Sequence, residues 1–150
     1  MRAIRYFFLA SLALLIGLAI GEARAAELKV LSTEAMRPAL QELAPAFEAA
    51  SKHKLVIAFA TDEDVAKQVS SDDTIDIAIV TKARIDKLIS SARILTVPKL
   101  LAVGASPDLL YAAGSSMATE QPIAARALLD FLAGPEAKKV YEAKGLKLPS

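Results

Sequence analysis

Apolar and polar positions alternate between two periods along most of the chain. Residues 28–31 form a short apolar-rich run closed by Ser32 and Thr33. Leu40, Leu43, Phe47 and Ala50 then recur at spacings of three and four, with Gln41, Glu42 and Glu48 opposite. That is the pattern of an amphipathic helix. Pro38 suits its first turn, where a missing N–H costs least, and Pro45 predicts a kink or a split. Residues 55–59 read as a second strand, ended by Ala60 and Thr61. A short helix from Asp62 to Ser70 follows, its first-turn acids complementing the macrodipole. Residues 75–80 carry Ile75, Ile77, Ile79 and Val80 and have the apolar character of a parallel strand buried on both faces. Thr81 closes that strand, and residues 84–91 read as another helix.

Strand-helix-strand-helix-strand over so short a stretch predicts an α/β fold. The expected architecture is an open, mostly parallel sheet, with helices placed on both faces by right-handed crossovers. The three strands should be adjacent, with the first between the other two. Residues 96–107 have few periodic cues and read as an irregular surface connection. Residues 109–117 suit one more strand, weakened by Gly114. Two helices close the chain, residues 123–133 and 135–144, with Pro135 at a first helical position and Gly134 and Gly145 as C-caps.

The start of the chain has a different character. Arg2 and Arg5 precede an apolar run, residues 6–20, broken only by Ser11 and Gly17, and Ala23-Arg24-Ala25 is a small-x-small cleavage pattern. Residues 1–25 therefore read as a secretory signal peptide, and 26–150 as one domain in the periplasm or outside the cell. The run is shorter than the roughly 20 residues a spanning helix needs. Of 18 basic and 17 acidic residues, the signal takes Arg2, Arg5, Arg24 and Glu22, which leaves 15 and 16. Such a balance excludes a strongly basic nucleic-acid surface and argues against a polybasic membrane patch. The lack of cysteine excludes disulfides and thiolate metal sites, and the single histidine removes His-rich zinc sites and most Ser–His or Cys–His machinery.

Candidate chemistry gathers at the strand ends. In open α/β sheets, ligands sit outside the carboxyl ends of the strands. Ser32 and Thr33, Thr61, and Thr81 stand at three such ends and are the candidate ligand-binding residues. Hydroxyls beside free N–H groups at helix starts cradle an oxyanion, whereas the simpler reading is that they cap helices. Asp62-Glu63-Asp64 opposes an anion, since unit charges at 4 Å repel by roughly 4 kcal/mol at an effective dielectric of 20. The triplet, even with Asp72, Asp73 and Asp76, lacks the ligand spacing and turn glycine of a calcium loop and reads as a solvated helix start. Lys82 offers a counter-charge beside Thr81. His53, between Lys52 and Lys54, reads as an exposed turn residue, and Tyr111 and Tyr141 as packing residues. No catalytic machinery and no cofactor motif is visible.

Three stretches carry a family resemblance. Leu28-Lys-Val-Leu-Ser-Thr through Met36-Arg-Pro and Leu43-Ala-Pro-Ala-Phe is similar to the start of bacterial extracellular solute-binding proteins of the molybdate-binding type. Ile75-Asp-Ile-Ala-Ile-Val-Thr-Lys-Ala with Ile85-Asp-Lys-Leu-Ile resembles that family's third strand and next helix. Ala124-Ala-Arg-Ala-Leu-Leu-Asp-Phe-Leu-Ala-Gly-Pro-Glu-Ala, ending at Lys144-Gly-Leu, resembles its closing helices. The resemblance implies a periplasmic receptor of an ABC importer, two α/β lobes closing over an oxyanion held by hydroxyls and backbone N–H groups. It carries Ser32 and Thr61 over as first-lobe contacts. Where the family crosses into a second lobe, this chain is short, which implies a deletion near 95–108 and a single remaining lobe. Asp62 and Glu63 also replace the small neutral pair that usually opens the second helix. Two functions stay open: a reduced receptor for a small oxyanion or polar solute, with an ABC permease as partner, or a one-lobed, non-transporting descendant that binds a protein.

Overall fold

The computed structural model describes residues 25–95 and 97–150; the signal-peptide reading falls, but for Ala25, outside the described residues. One sheet of five strands organises them: β1 (Glu27–Thr33), β2 (Lys54–Ala60), β3 (Ile77–Thr81), β4 (Lys99–Val103) and β5 (Leu110–Ser115), in the order β2-β1-β3-β5-β4. β1 lies between β2 and β3 and runs parallel to both, as the connections predict. β5 is antiparallel to β3 and to β4, so the sheet is mixed, with two parallel and two antiparallel pairings.

The helices split between the faces. α1 (Arg37–Ser51), α4 (Pro122–Leu132) and α5 (Pro135–Ala143) cover one side, where Leu40, Leu43, Phe47, Leu128, Leu132 and Tyr141 bury against Leu28, Val30, Ile77 and Ile79. α2 (Asp62–Ser71) and α3 (Lys82–Ser90) cover the other, where Val65, Val69, Ile85 and Leu88 meet Leu31, Ala78, Val80 and Ala112. The period-two alternation of β3 thus feeds two cores, Ile77 and Ile79 to one and Ala78 and Val80 to the other. Each fully buried Ile, Leu or Val contributes about 1.5–3 kcal/mol. Among the described residues, no helix is long and apolar enough to cross a membrane.

Several expectations need correction. The stretch 96–107 is not wholly irregular, because Lys99–Val103 forms the edge strand β4. A register shift between Leu100 and Ala102 sets both Leu101 and Ala102 into one core, which erases the alternation that would have marked a strand. Pro45 does not split α1. Pro45 and Gln41, whose carbonyl it deprives of a donor, both sit on the exposed side, which leaves that carbonyl open to solvent. Gly134 is the N-cap of α5 at φ −83°, not a left-handed C-cap. Gly145 does adopt φ 81° and closes α5, with Leu146 N–H donating to the Tyr141 carbonyl at 2.9 Å and Gly145 N–H to that of Glu142 at 3.0 Å. His53 is half-buried, stacks on Phe47 and accepts a bond from the Ala26 N–H at 3.0 Å, so it fixes the start of β1 rather than decorating a turn. Tyr141 is fully buried and donates to the Leu132 carbonyl at 2.7 Å.

Candidate functional site

β1, β2, β3 and β4 all end at the same edge of the sheet, and β5 begins there. All four sequence candidates lie at or just beyond it. Ser32 is fully buried, and its hydroxyl donates to the Thr33 carbonyl at 3.1 Å. Thr33 is buried and caps the 3-10 turn Glu34–Met36 without a side-chain bond. Thr61 is exposed and acts as the N-cap of α2. Its Oγ1 accepts from the Asp64 N–H at 3.1 Å and donates to Asp64 Oδ2 at 2.9 Å. Thr81 is half-buried at the head of α3 and turns its donors elsewhere.

Those donors go to Asp62. Thr81 N–H reaches Asp62 Oδ1 at 2.9 Å and Thr81 Oγ1 reaches Asp62 Oδ2 at 2.8 Å, with Arg84 Nε 3.5 Å from the same oxygen. Of the acidic triplet, Glu63 instead pairs with Lys67 at 2.9 Å, which holds its carboxyl below the usual range, and Asp64 bonds its own cap. The reading of a uniformly solvated helix start therefore fails at Asp62 alone. Lys82 pairs with Asp86 at 2.6 Å along its own helix and offers no counter-charge to Thr81.

The rest of the edge is similarly self-paired. Arg37 binds Glu34 through two bonds of 2.7 Å and lies 4.2 Å over the Phe59 ring. The hydrogen bond to Arg37 holds the Glu34 carboxyl below its ordinary value. Tyr111, opposite Thr81 in the sheet, is pushed upward first by burial and then by the negative charge of Asp62. A Cβ at Gly104 would come within 3.1 Å of its ring and of the Leu109 Cβ, so a larger residue there would press on both. Arg84 and Tyr111 were not among the sequence candidates. Arg84 sits three residues past Thr81, one turn into the helix, and that spacing was the available signal; Tyr111 arrives from a distant strand.

Two larger hollows lie away from this edge. One, about 480 Å³, is lined by Glu27, Lys29, Asp73, Asp76 and Glu120 at the amino end of the parallel strands. The other, about 610 Å³, runs between β4 and α4 past Leu95, Val97, Ile123 and Leu129. None of the four candidate hydroxyls lines either hollow. Among the described residues, no group of three His, Cys, Asp or Glu side chains is placed to hold a metal ion.

The family model for bacterial extracellular solute-binding proteins matches residues 28–104, just over half of the chain. The chain belongs to this family. Solved structures share the fold of this family member at low identity. The substrate-binding domain of a protein described as a molybdenum ABC transporter, from Clostridium difficile, aligns with a TM-score of 0.72 at 9% identity, over 84% of this chain and 100% of the other. The periplasmic molybdate-binding protein of Azotobacter vinelandii gives 0.71 at 13%, over 82% and 100%. A sulfate-binding protein of Mycobacterium tuberculosis gives 0.67 at 8%, over 82% and 87%. No curated protein matches the sequence.

Proposed function

We propose that this chain is the exported solute-binding component of an ABC-importer system, reduced to one lobe, that takes a small oxyanion or similarly small polar solute at the carboxyl edge of its sheet. It acts by binding, without catalysis. The observation that carries the reading is the position of Ser32, Thr33, Thr61 and Thr81 at the ends of neighbouring strands, on the edge where open α/β sheets receive ligands, in a chain whose family binds solutes. The molybdate- and sulfate-binding neighbours share this strand framework and supply the ligand class. On this reading the second lobe is absent near 95–108, and two observations support it. The family match stops at Gly104, and β4 and β5 pair directly across the loop between them. With one wall absent, a bound solute keeps solvent on one side and forfeits the burial of a closed pocket.

The test is calorimetry and thermal shift on the secreted protein with molybdate, tungstate, sulfate, phosphate and small organic acids. Saturable binding that Ser32→Ala or Thr33→Val weakens supports the reading, and no response to any of them removes it. Mass spectrometry of the protein recovered from the periplasm should show a chain beginning at Ala26. A second reading, a partner-binding domain that no longer transports, is favoured by one observation. Arg37, Lys67, Lys82 and Arg84 at this edge each hold a carboxylate of the same chain. That reading takes over if no solute binds.

A further inference from the structure

We infer that the Asp62 carboxylate is the anion this edge carries by default, a tethered stand-in on the donors of Thr81 and Arg84 that a free oxyanion has to displace. The inference rests on the solute-binding reading above and names the residue that sets its affinity.

Asp62 opens α2, yet its carboxylate does not serve that helix, whose N-cap bond comes from the Thr61 hydroxyl. It spans 19 residues to the start of α3 instead, and both of its oxygens are used. One receives a backbone N–H, the other a hydroxyl, with a guanidinium at 3.5 Å from the second. A backbone N–H at a helix start, a neutral hydroxyl and a nearby cation are the donor set that recognises an oxyanion. The neighbouring acids are engaged elsewhere, Glu63 with Lys67 and Asp64 with Thr61, so the placement belongs to Asp62 and not to the triplet as a whole.

A tethered group competes at the effective concentration its tether imposes, millimolar even for flexible linkers. A free anion sees the donors only in the fraction of molecules whose Asp62 has swung out, and its apparent dissociation constant rises by the inverse of that fraction. Asp62 stays 29% exposed, so the carboxylate has a path into solvent.

The experiment compares the parent protein with Asp62→Ala by calorimetry, using molybdate and sulfate as probes, while NMR follows the Thr81 amide. Asp62→Ala should shift the Thr81 amide, addition of anion should shift it back, and the affinity should rise by about tenfold or more, the factor expected if Asp62 is out in at most one molecule in ten. Should the alanine variant prove unfolded, Asp62→Asn, which keeps the size and loses the charge, carries the same comparison. An unmoved Thr81 amide in the variant overturns the inference, because the contact is then not formed in solution. A Thr81 amide that moves but ignores added anion also overturns it, because Asp62 is then only a staple between two helices. Equal affinity of parent and variant overturns it while leaving the solute-binding reading intact, with Ser32 and Thr33 the next amides to follow. Absence of anion binding in every protein overturns both.

Discussion

Two aspartates at opposite edges of the sheet hold the same pair of donors and do different work. Asp76, at the amino edge, accepts the Lys29 N–H at 2.8 Å and the Thr119 hydroxyl at 2.6 Å. Asp62, at the carboxyl edge, accepts the Thr81 N–H and the Thr81 hydroxyl. Asp76 is 8% exposed and, among the described residues, has no ion pair; it joins β1 to the turn after β5, and its own carbonyl accepts the Ser116 N–H. Asp62 is more open and has Arg84 beside it. A carboxylate that ties three segments together and is itself only 8% exposed is part of the framework. One that rests on a single helix start, next to a cation and within reach of water, is exchangeable. Burial and the number of segments joined, not the donor types, separate the two.

The largest expected effect breaks or upholds that contrast directly. Asp76→Ala should cost about 2–4 kcal/mol in urea unfolding, because it takes from the part-buried Lys29 N–H and Thr119 hydroxyl the charged acceptor that joins three segments. Asp62→Ala should cost only about 1 kcal/mol, since water can take over the Thr81 N–H. Equal losses at the two sites would erase the distinction. A narrower comparison is Thr119→Val against Thr81→Val. The first should lose about 1–2 kcal/mol and the second clearly less, because Thr81 keeps its backbone bond to Asp62.

Smaller still is Arg84→Gln. As a partly exposed pair it should alter stability by less than about 1 kcal/mol, yet it should lower the anion affinity of the Asp62→Ala variant. An affinity unchanged by the loss of Arg84 would remove the cation from the carboxyl-edge site. The smallest effect is read in alkaline titration. Burial and then Asp62 hold the Tyr111 phenol above its ordinary value of 10.0, so Asp62→Asn should bring it partly back down, whereas Asp76→Asn should not. Burial raises Tyr141 as well. Groups raised on folding stabilise the fold below the unfolded value, so stability should fall as pH climbs past about 10 toward the folded values. A flat stability profile through that window would show that neither phenol is held up by the fold.

The framework was legible where local signals were strong. Residues 28–31, 55–59 and 75–80 announced strands through dense apolar runs, and their order in the sheet followed from short right-handed connections. β4 was not legible, because it is five residues long, lies at an edge and carries a register shift that puts consecutive residues on one side. The antiparallel return of β5 was equally silent, since strand direction leaves no mark on a run such as Ala112–Ala113. At the candidate site, position was readable and engagement was not. Four hydroxyls at strand ends could be named from the sequence, but which of them spend their donors on caps depends on side-chain rotamers and neighbours.

By itself, then, the sequence determined the α/β alternation, the two buried faces of β3, the helix starts at Pro38 and Pro135, and the placement of Ser32, Thr33, Thr61 and Thr81 at one edge. These rest on periodicity and on backbone chemistry, both local properties. Tertiary structure alone decided that Asp62 turns inward to Thr81 while Glu63 and Asp64 turn away, that Asp76 bridges β1 and the turn at Thr119, and that β4 and β5 close the sheet in antiparallel fashion. Each of those joins residues 19 to 47 positions apart, or depends on a strand direction, and hydrogen bonds between such distant groups exist only once the chain has folded.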